Sequence, residues 1–128
     1  MSGGGILFRA KDDDAASKRG KEVGRVSLAE LREKTMVRLT YPPFDILVAW
    51  VDDEVFAIED ACNHAGASLA EGWLEGECVI CPMHAYVFEL RTGKLDRPKG
   101  LCGDQRTYDA RIEGDEVVVY DDFSVVIT

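Results

Sequence analysis

Two short loops, each carrying one cysteine and one histidine, constrain this chain more than any other stretch. The first reads Cys62-Asn63-His64-Ala65-Gly66 and the second Cys81-Pro82-Met83-His84-Ala85, with fourteen residues between them. Together they take both histidines of the protein and two of its four cysteines. Facing each other, the two tips offer two thiolates and two imidazoles. Tetrahedral zinc accepts such a set, but structural zinc sites group like with like, typically with about two to four residues between cysteines and about three to five between histidines. A binuclear iron-sulfur centre with one iron held by cysteines and the other by histidines asks each loop to reach both irons. The alternation Cys-x-His and Cys-x-x-His favours that centre. Zinc remains an alternative, as does a buried thiol pair beside two surface imidazoles.

The same pattern, Cys-x-His and Cys-x-x-His separated by sixteen residues, resembles the cluster-binding signature of Rieske proteins. The likeness extends to Gly66, to Pro82 inside the second loop, and to Phe88, Thr92 and Gly93 beyond it. It implies one 2Fe-2S cluster per chain, with Cys62 and Cys81 on the buried iron and His64 and His84 on the iron nearer solvent. It also implies an all-β, Rieske-like antiparallel sandwich or barrel base, with an inserted cluster-binding subdomain at about residues 60–100 and one short helix.

A chain of 128 residues is expected to form one domain, 1–128, without room for a second catalytic module. With both histidines committed to the loops, none is left for a mononuclear iron of the type held by two histidines and a carboxylate. The chain is therefore read as an electron carrier and not as an oxygenase or other enzyme, with no catalytic residues of its own. Its formal net charge is -9, which a core of charge about +2 and two thiolates would leave unchanged. That acidity argues against nucleic acid and favours a partner with a basic patch. No apolar run approaches a membrane span, and the opening Met-Ser-Gly-Gly-Gly lacks the basic and apolar regions of a signal peptide. The expectation is a cytoplasmic monomer that does not bind membranes.

Along the chain, residues 1–24 are expected to be partly flexible, with Ile6-Leu7-Phe8 a possible strand start and the polar stretch 11–22 a loop or tail. Ser27 with Glu30 three residues on has the form of a capping box and predicts a helix to about Glu33. Strands are predicted over Met36–Thr40, Asp45–Val51 and Glu54–Ile58, with a tight turn at Asp52-Asp53 and an interruption at Pro42-Pro43. Apolar residues on both faces of Val55–Ile58 suggest a small closed barrel. A hairpin from Gly72 to Ile80 turns at Glu75-Gly76 and should bury Cys78 as a small hydrophobe, a disulfide to Cys102 being the lesser alternative. A strand over Tyr86–Leu90 follows, and Leu95–Cys102, with Pro98, should lie over the cluster. Thr107–Ile112 and Glu116–Tyr120, joined by Glu113-Gly114-Asp115, close the sheet, while Val125, Val126 and Ile127 add core or edge contacts. Trp50 and Trp73 are expected in the core, and Met83 half exposed over the cluster.

The resemblance also speaks to the reduction potential. High-potential Rieske proteins carry an additional cysteine in each loop, joined as a brace, where this chain has Ala67 and Met83. They also place a serine and a tyrosine, whose hydroxyls bond cluster and cysteine sulfurs, where this chain has Tyr86 and Phe88. Fewer donors and a net negative charge imply the lower part of the Rieske range of about -150 to +300 mV. The chain is thus similar to the soluble Rieske ferredoxins that carry single electrons from a flavoprotein ferredoxin reductase to a terminal oxygenase. A nitrite reductase-type small subunit and a structural zinc module are the competing readings.

Overall fold

The structure, a computed structural model, describes residues 20–62, 66–97 and 103–121. Within them, ten strands form two antiparallel sheets. The larger sheet has the order β1-β10-β9-β4-β3-β2 and the smaller β5-β6-β7-β8. The larger contains β1 (Lys21–Ser27), β2 (Met36–Leu39), β3 (Ile46–Val51), β4 (Glu54–Glu59), β9 (Thr107–Glu113) and β10 (Glu116–Asp121). The smaller contains β5 (Trp73–Glu75), β6 (Cys78–Ile80), β7 (Val87–Glu89) and β8 (Leu95–Arg97), so it is inserted between β4 and β9.

The uninterrupted apolar run Ile-Leu-Val-Ala-Trp-Val of β3 is explained by burial on both faces. Ile46 and Val48, with Ala57 of β4, point into a core shared with Val26, Leu28, Leu31, Val117 and Val119. Leu47 and Ala49, with Phe56 and Ile58, point the opposite way, into a second core completed by Leu69, Val79, Tyr86, Phe88, Leu90 and both loop cysteines. The hairpin β3–β4 is therefore the wall between the base and the inserted sheet. Its two-residue turn puts Asp52 and Asp53 at φ 50° and 63°, the left-handed pair that matches strand twist.

The large sheet curls until its two edges approach. A Cβ built on Gly24 of β1 would lie 2.8 Å from Leu39 Cδ1 of β2, so Leu39 of one edge packs directly over the bare backbone of the other. Helix α1 (Leu28–Lys34) plugs one end, burying Leu28 and Leu31. Ser27 Oγ accepts the Glu30 N–H at 3.2 Å, as the capping pattern implied, and Thr35 ends the helix in the left-handed region at φ 64°.

Three expectations need correction. Lys21–Gly24, expected within the flexible segment, begin β1: this stretch pairs with β10, and the Arg25 guanidinium bonds both Glu22 and Glu116. Trp73 is not a core residue. It is 50% exposed, because β5 is the outer strand of the small sheet and lacks a neighbour on one side. Cys78 is a half-buried thiol and not a fully buried one; burial, followed by the nearby Asp96 and Glu89 carboxylates, pushes its pKa up, which makes it a poor nucleophile. The expectations for Ile6–Phe8, Pro98, Cys102 and Val125–Ile127 lie outside the described residues. No helix is long and apolar enough to cross a membrane among the described residues.

Candidate metal centre

The inserted sheet brings the two motif loops to one end of the second core. Cys62 follows β4 and Cys81 follows β6, and both side chains are buried, at 1% and 0% exposure. Each cysteine opens a turn of the same length. The Cys62 N–H donates to the Ala67 carbonyl at 2.8 Å, and the Cys81 N–H donates to the Tyr86 carbonyl at 2.8 Å. A cysteine thus sits at the floor of each loop, and in the second loop the next residues project outward. Pro82, Met83, His84 and Ala85 are all exposed, and Met83 is 49% exposed, as its loop position implied.

The chain reverses sharply at both tips. Gly66 adopts φ 75°, and its N–H reaches the Cys62 carbonyl at 2.6 Å. In the second loop His84 and Ala85 stand at φ 71° and 56°, left-handed conformations that cost a non-glycine residue about 1 kcal/mol. Ala85→Gly is accordingly expected to stabilise the protein by about 1 kcal/mol and to raise its Tm by about 4 °C, measurable by calorimetry.

The approach to Cys62 is held at every main-chain group. Glu59 N–H donates to the Arg106 carbonyl (2.8 Å), Asp60 N–H to the Asp45 carbonyl (3.0 Å), and Ala61 N–H to the Phe44 carbonyl (3.1 Å). The Asp60 carbonyl accepts from Leu69 N–H at 2.8 Å. Those of Glu59 and Ala61 both accept from the Gln105 side-chain amide, each at 2.9 Å. On the other loop, a Cβ at Gly72 would fall 1.8 Å from the Ile80 carbonyl oxygen and 3.2 Å from Pro82 Cδ, so this glycine packs directly on the backbone that leads into Cys81. Sequence reasoning found the cysteines and histidines but not the supporting roles of Asp60, Gln105 or Gly72, whose contacts follow no spacing pattern.

Three of the four expected donors, Cys62, Cys81 and His84, are described; His64 lies outside the described residues. Among the described residues no three His, Cys, Asp or Glu side chains form a metal-binding group. What the structure does offer is the donor chemistry of a mixed centre: soft thiols in an apolar core and an imidazole on the surface above them.

The pattern of the family described as "Rieske [2Fe-2S] domain" matches residues 22–103. The chain is 40% identical over 93 residues to the ferredoxin component of biphenyl 2,3-dioxygenase from Rhodococcus jostii (strain RHA1), covering 73% of this chain and 86% of that one. Among solved structures it is similar to the ferredoxin of carbazole 1,9a-dioxygenase from Nocardioides aromaticivorans IC177, at a TM-score of 0.70 and 27% identity, covering 80% of this chain and 99% of that one. It is also similar to a chain in the complex of reduced oxygenase and oxidised ferredoxin of carbazole 1,9a-dioxygenase, at a TM-score of 0.67 and 27% identity, covering 77% of this chain and 99% of that one.

Proposed function

Because the chain belongs to the Rieske 2Fe-2S family, we propose that its cluster is held by Cys62, His64, Cys81 and His84. The protein is a ferredoxin component of a dioxygenase system and carries electrons to the terminal oxygenase. The observation that carries the ligand assignment is the pair of matched turns: each has a buried cysteine at its floor, and the second raises His84 to the surface.

When bound, a cluster of this type takes up and releases one electron with little rearrangement. The rest is done by the chain. Cys62 and Cys81 lie in the apolar core with Leu69, Val79 and Phe88, which exclude water from the thiolate side. Phe88 is fully buried and brings no hydroxyl to the sulfurs, which supports a potential in the lower part of the family range. His84, exposed, can meet a partner directly, and we assign electron exit to the histidine side. The donor on the other side is a flavoprotein ferredoxin reductase, and the whole chain acts as one cytoplasmic, monomeric domain whose residues from about 60 to 100 form the cluster-bearing part.

Docking is expected to use the apolar side chains left exposed at this end. Met83 is adjacent to His84 in the loop, and Trp73, 50% exposed, follows the glycine that packs on Pro82. Large apolar residues at the centre of an interface carry most of its energy. Stopped-flow reduction of the purified cognate oxygenase by the reduced protein tests the function. Electron transfer at catalytic rates is expected for wild type, with about a tenfold weaker apparent Kd for Trp73→Ala and a smaller loss for Met83→Ala. Failure of the reduced wild-type protein to reduce the oxygenase would reject the carrier role, and unchanged binding of both variants would reject this docking face.

A further inference from the structure

The loop bearing Cys62 has no disulfide brace available to it, since Ala67 occupies the position where a bracing cysteine would stand. Its approach is nevertheless bonded at each main-chain group from Glu59 to Ala61, and one buried carboxylate lies at its centre. Asp60 is 2% exposed and stands two residues before Cys62. Its Oδ2 accepts from the Ser68 hydroxyl at 2.6 Å and its Oδ1 from the Ala70 N–H at 2.9 Å, while the Arg38 guanidinium approaches to 3.6 Å. Ser68 and Ala70 belong to the segment that leaves the first loop, where Ser68 forms a single bridge with Ala61 and Ala70 lies in the 3-10 turn Leu69–Glu71. One side chain therefore ties the segment entering the loop to the segment leaving it. Gln105 holds the residues on either side of Asp60, through the carbonyls of Glu59 and Ala61.

We propose that Asp60 is a positioning residue for the cluster: its carboxylate closes the base of the Cys62 loop by tying its entry to its exit and, as a buried negative charge, holds the reduction potential down. The first part follows from the bonds. Breaking a charged, buried hydrogen bond releases the loop base and leaves Ser68 and Ala70 without their acceptor. The second part follows from location. A carboxylate buried two residues from an iron ligand opposes the arrival of one more negative charge in a medium where charges are weakly screened. Arg38 offsets only part of this charge, because it is 51% exposed and shared with Asp45 at 2.9 Å. The inference rests on Cys62 as an iron ligand, which the spectrum of Cys62→Ser tests separately.

The experiment compares the holo proteins of wild type, Asp60→Asn and Ser68→Ala. It combines potentiometric titration followed by circular dichroism in the visible range with the rate of cluster release to an iron chelator. Asn keeps the size of Asp60 and one accepting oxygen but removes the charge, so the midpoint potential is expected to rise. Ser68→Ala keeps the charge and removes the shortest bond. Its cluster release is expected to accelerate about tenfold, with far-UV circular dichroism unchanged and a potential closer to wild type than that of Asp60→Asn. An unchanged potential in Asp60→Asn would overturn the electrostatic role. Release from Ser68→Ala at the wild-type rate, or accelerating only in step with global unfolding, would overturn the bracing role, and it would do so even if Asp60→Asn did not accumulate as holo protein.

Discussion

Cys81→Ser is expected to yield protein without the visible absorption and rhombic reduced EPR signal of a Rieske centre, with iron falling from about two per chain to a small fraction of that. Two physical terms act together. A serine hydroxyl is a hard donor and is not ionised near neutral pH, whereas the thiolate is the soft anionic donor that iron-sulfur chemistry requires. The position is also fully buried in an apolar cluster, so the hydroxyl would have to be desolvated there. The fold should survive, since the strands on either side, β6 and β7, retain their pairing through Val79 and Phe88. Cys78→Ser is the matched control. Cys78 is half-buried and pairs with Glu89 at the far end of β6, so the same exchange there should leave iron content and spectra as in wild type. Retention of two irons and the EPR signal in Cys81→Ser would remove Cys81 from the ligand set.

The second large effect is expected from a residue with no chemistry at all. Gly72→Ala would place a methyl 1.8 Å from the Ile80 carbonyl oxygen, a distance that only movement of the backbone can relieve. Overpacking of this kind costs about 3 kcal/mol, and for a chain of this size that lowers Tm by about 10 °C. The displaced residue is Ile80, the one before Cys81, so cluster retention should fall more steeply than overall stability. Gly76→Ala provides the comparison. Gly76 sits in the β5–β6 turn at φ 61° with nothing within 4 Å of the added methyl, so only the left-handed backbone cost of about 1 kcal/mol should appear. Calorimetry and iron assays on the two variants separate these outcomes, and equal losses in both would show that Gly72 does not support the second loop.

Much of this was legible in the chain because the signals are local. The helix start at Ser27, the turn at Asp52-Asp53 and the strands on either side of it are set by capping, left-handed turn residues and apolar runs. The apolar residues on both faces of β4 correctly implied two-sided burial, and the two separate cores are its consequence. Residues whose behaviour depends on distant partners were not legible in the same way. Trp73 has the composition of a core residue, and its exposure is decided by β5 being an outer strand. Lys21–Gly24 are too polar to announce a strand, and they form one because β10 offers an edge to pair with.

The sequence by itself determined the family, and with it the kind of centre and the single-electron role, because the Cys-x-His and Cys-x-x-His motifs that carry the resemblance are written in residues a few positions apart. Only the tertiary structure decided how that centre is supported. Asp60 reaches Ser68 and Ala70, Gln105 reaches back to Glu59 and Ala61, and Gly72 lies against Ile80. Asp60 and Gly72 each close the base of one loop, and Gln105 joins the approach to Cys62 to the segment before β9, so all three act between residues that only folding brings together. Hydrogen bonding and close packing act across space, and they leave no periodicity in the chain to be read beforehand.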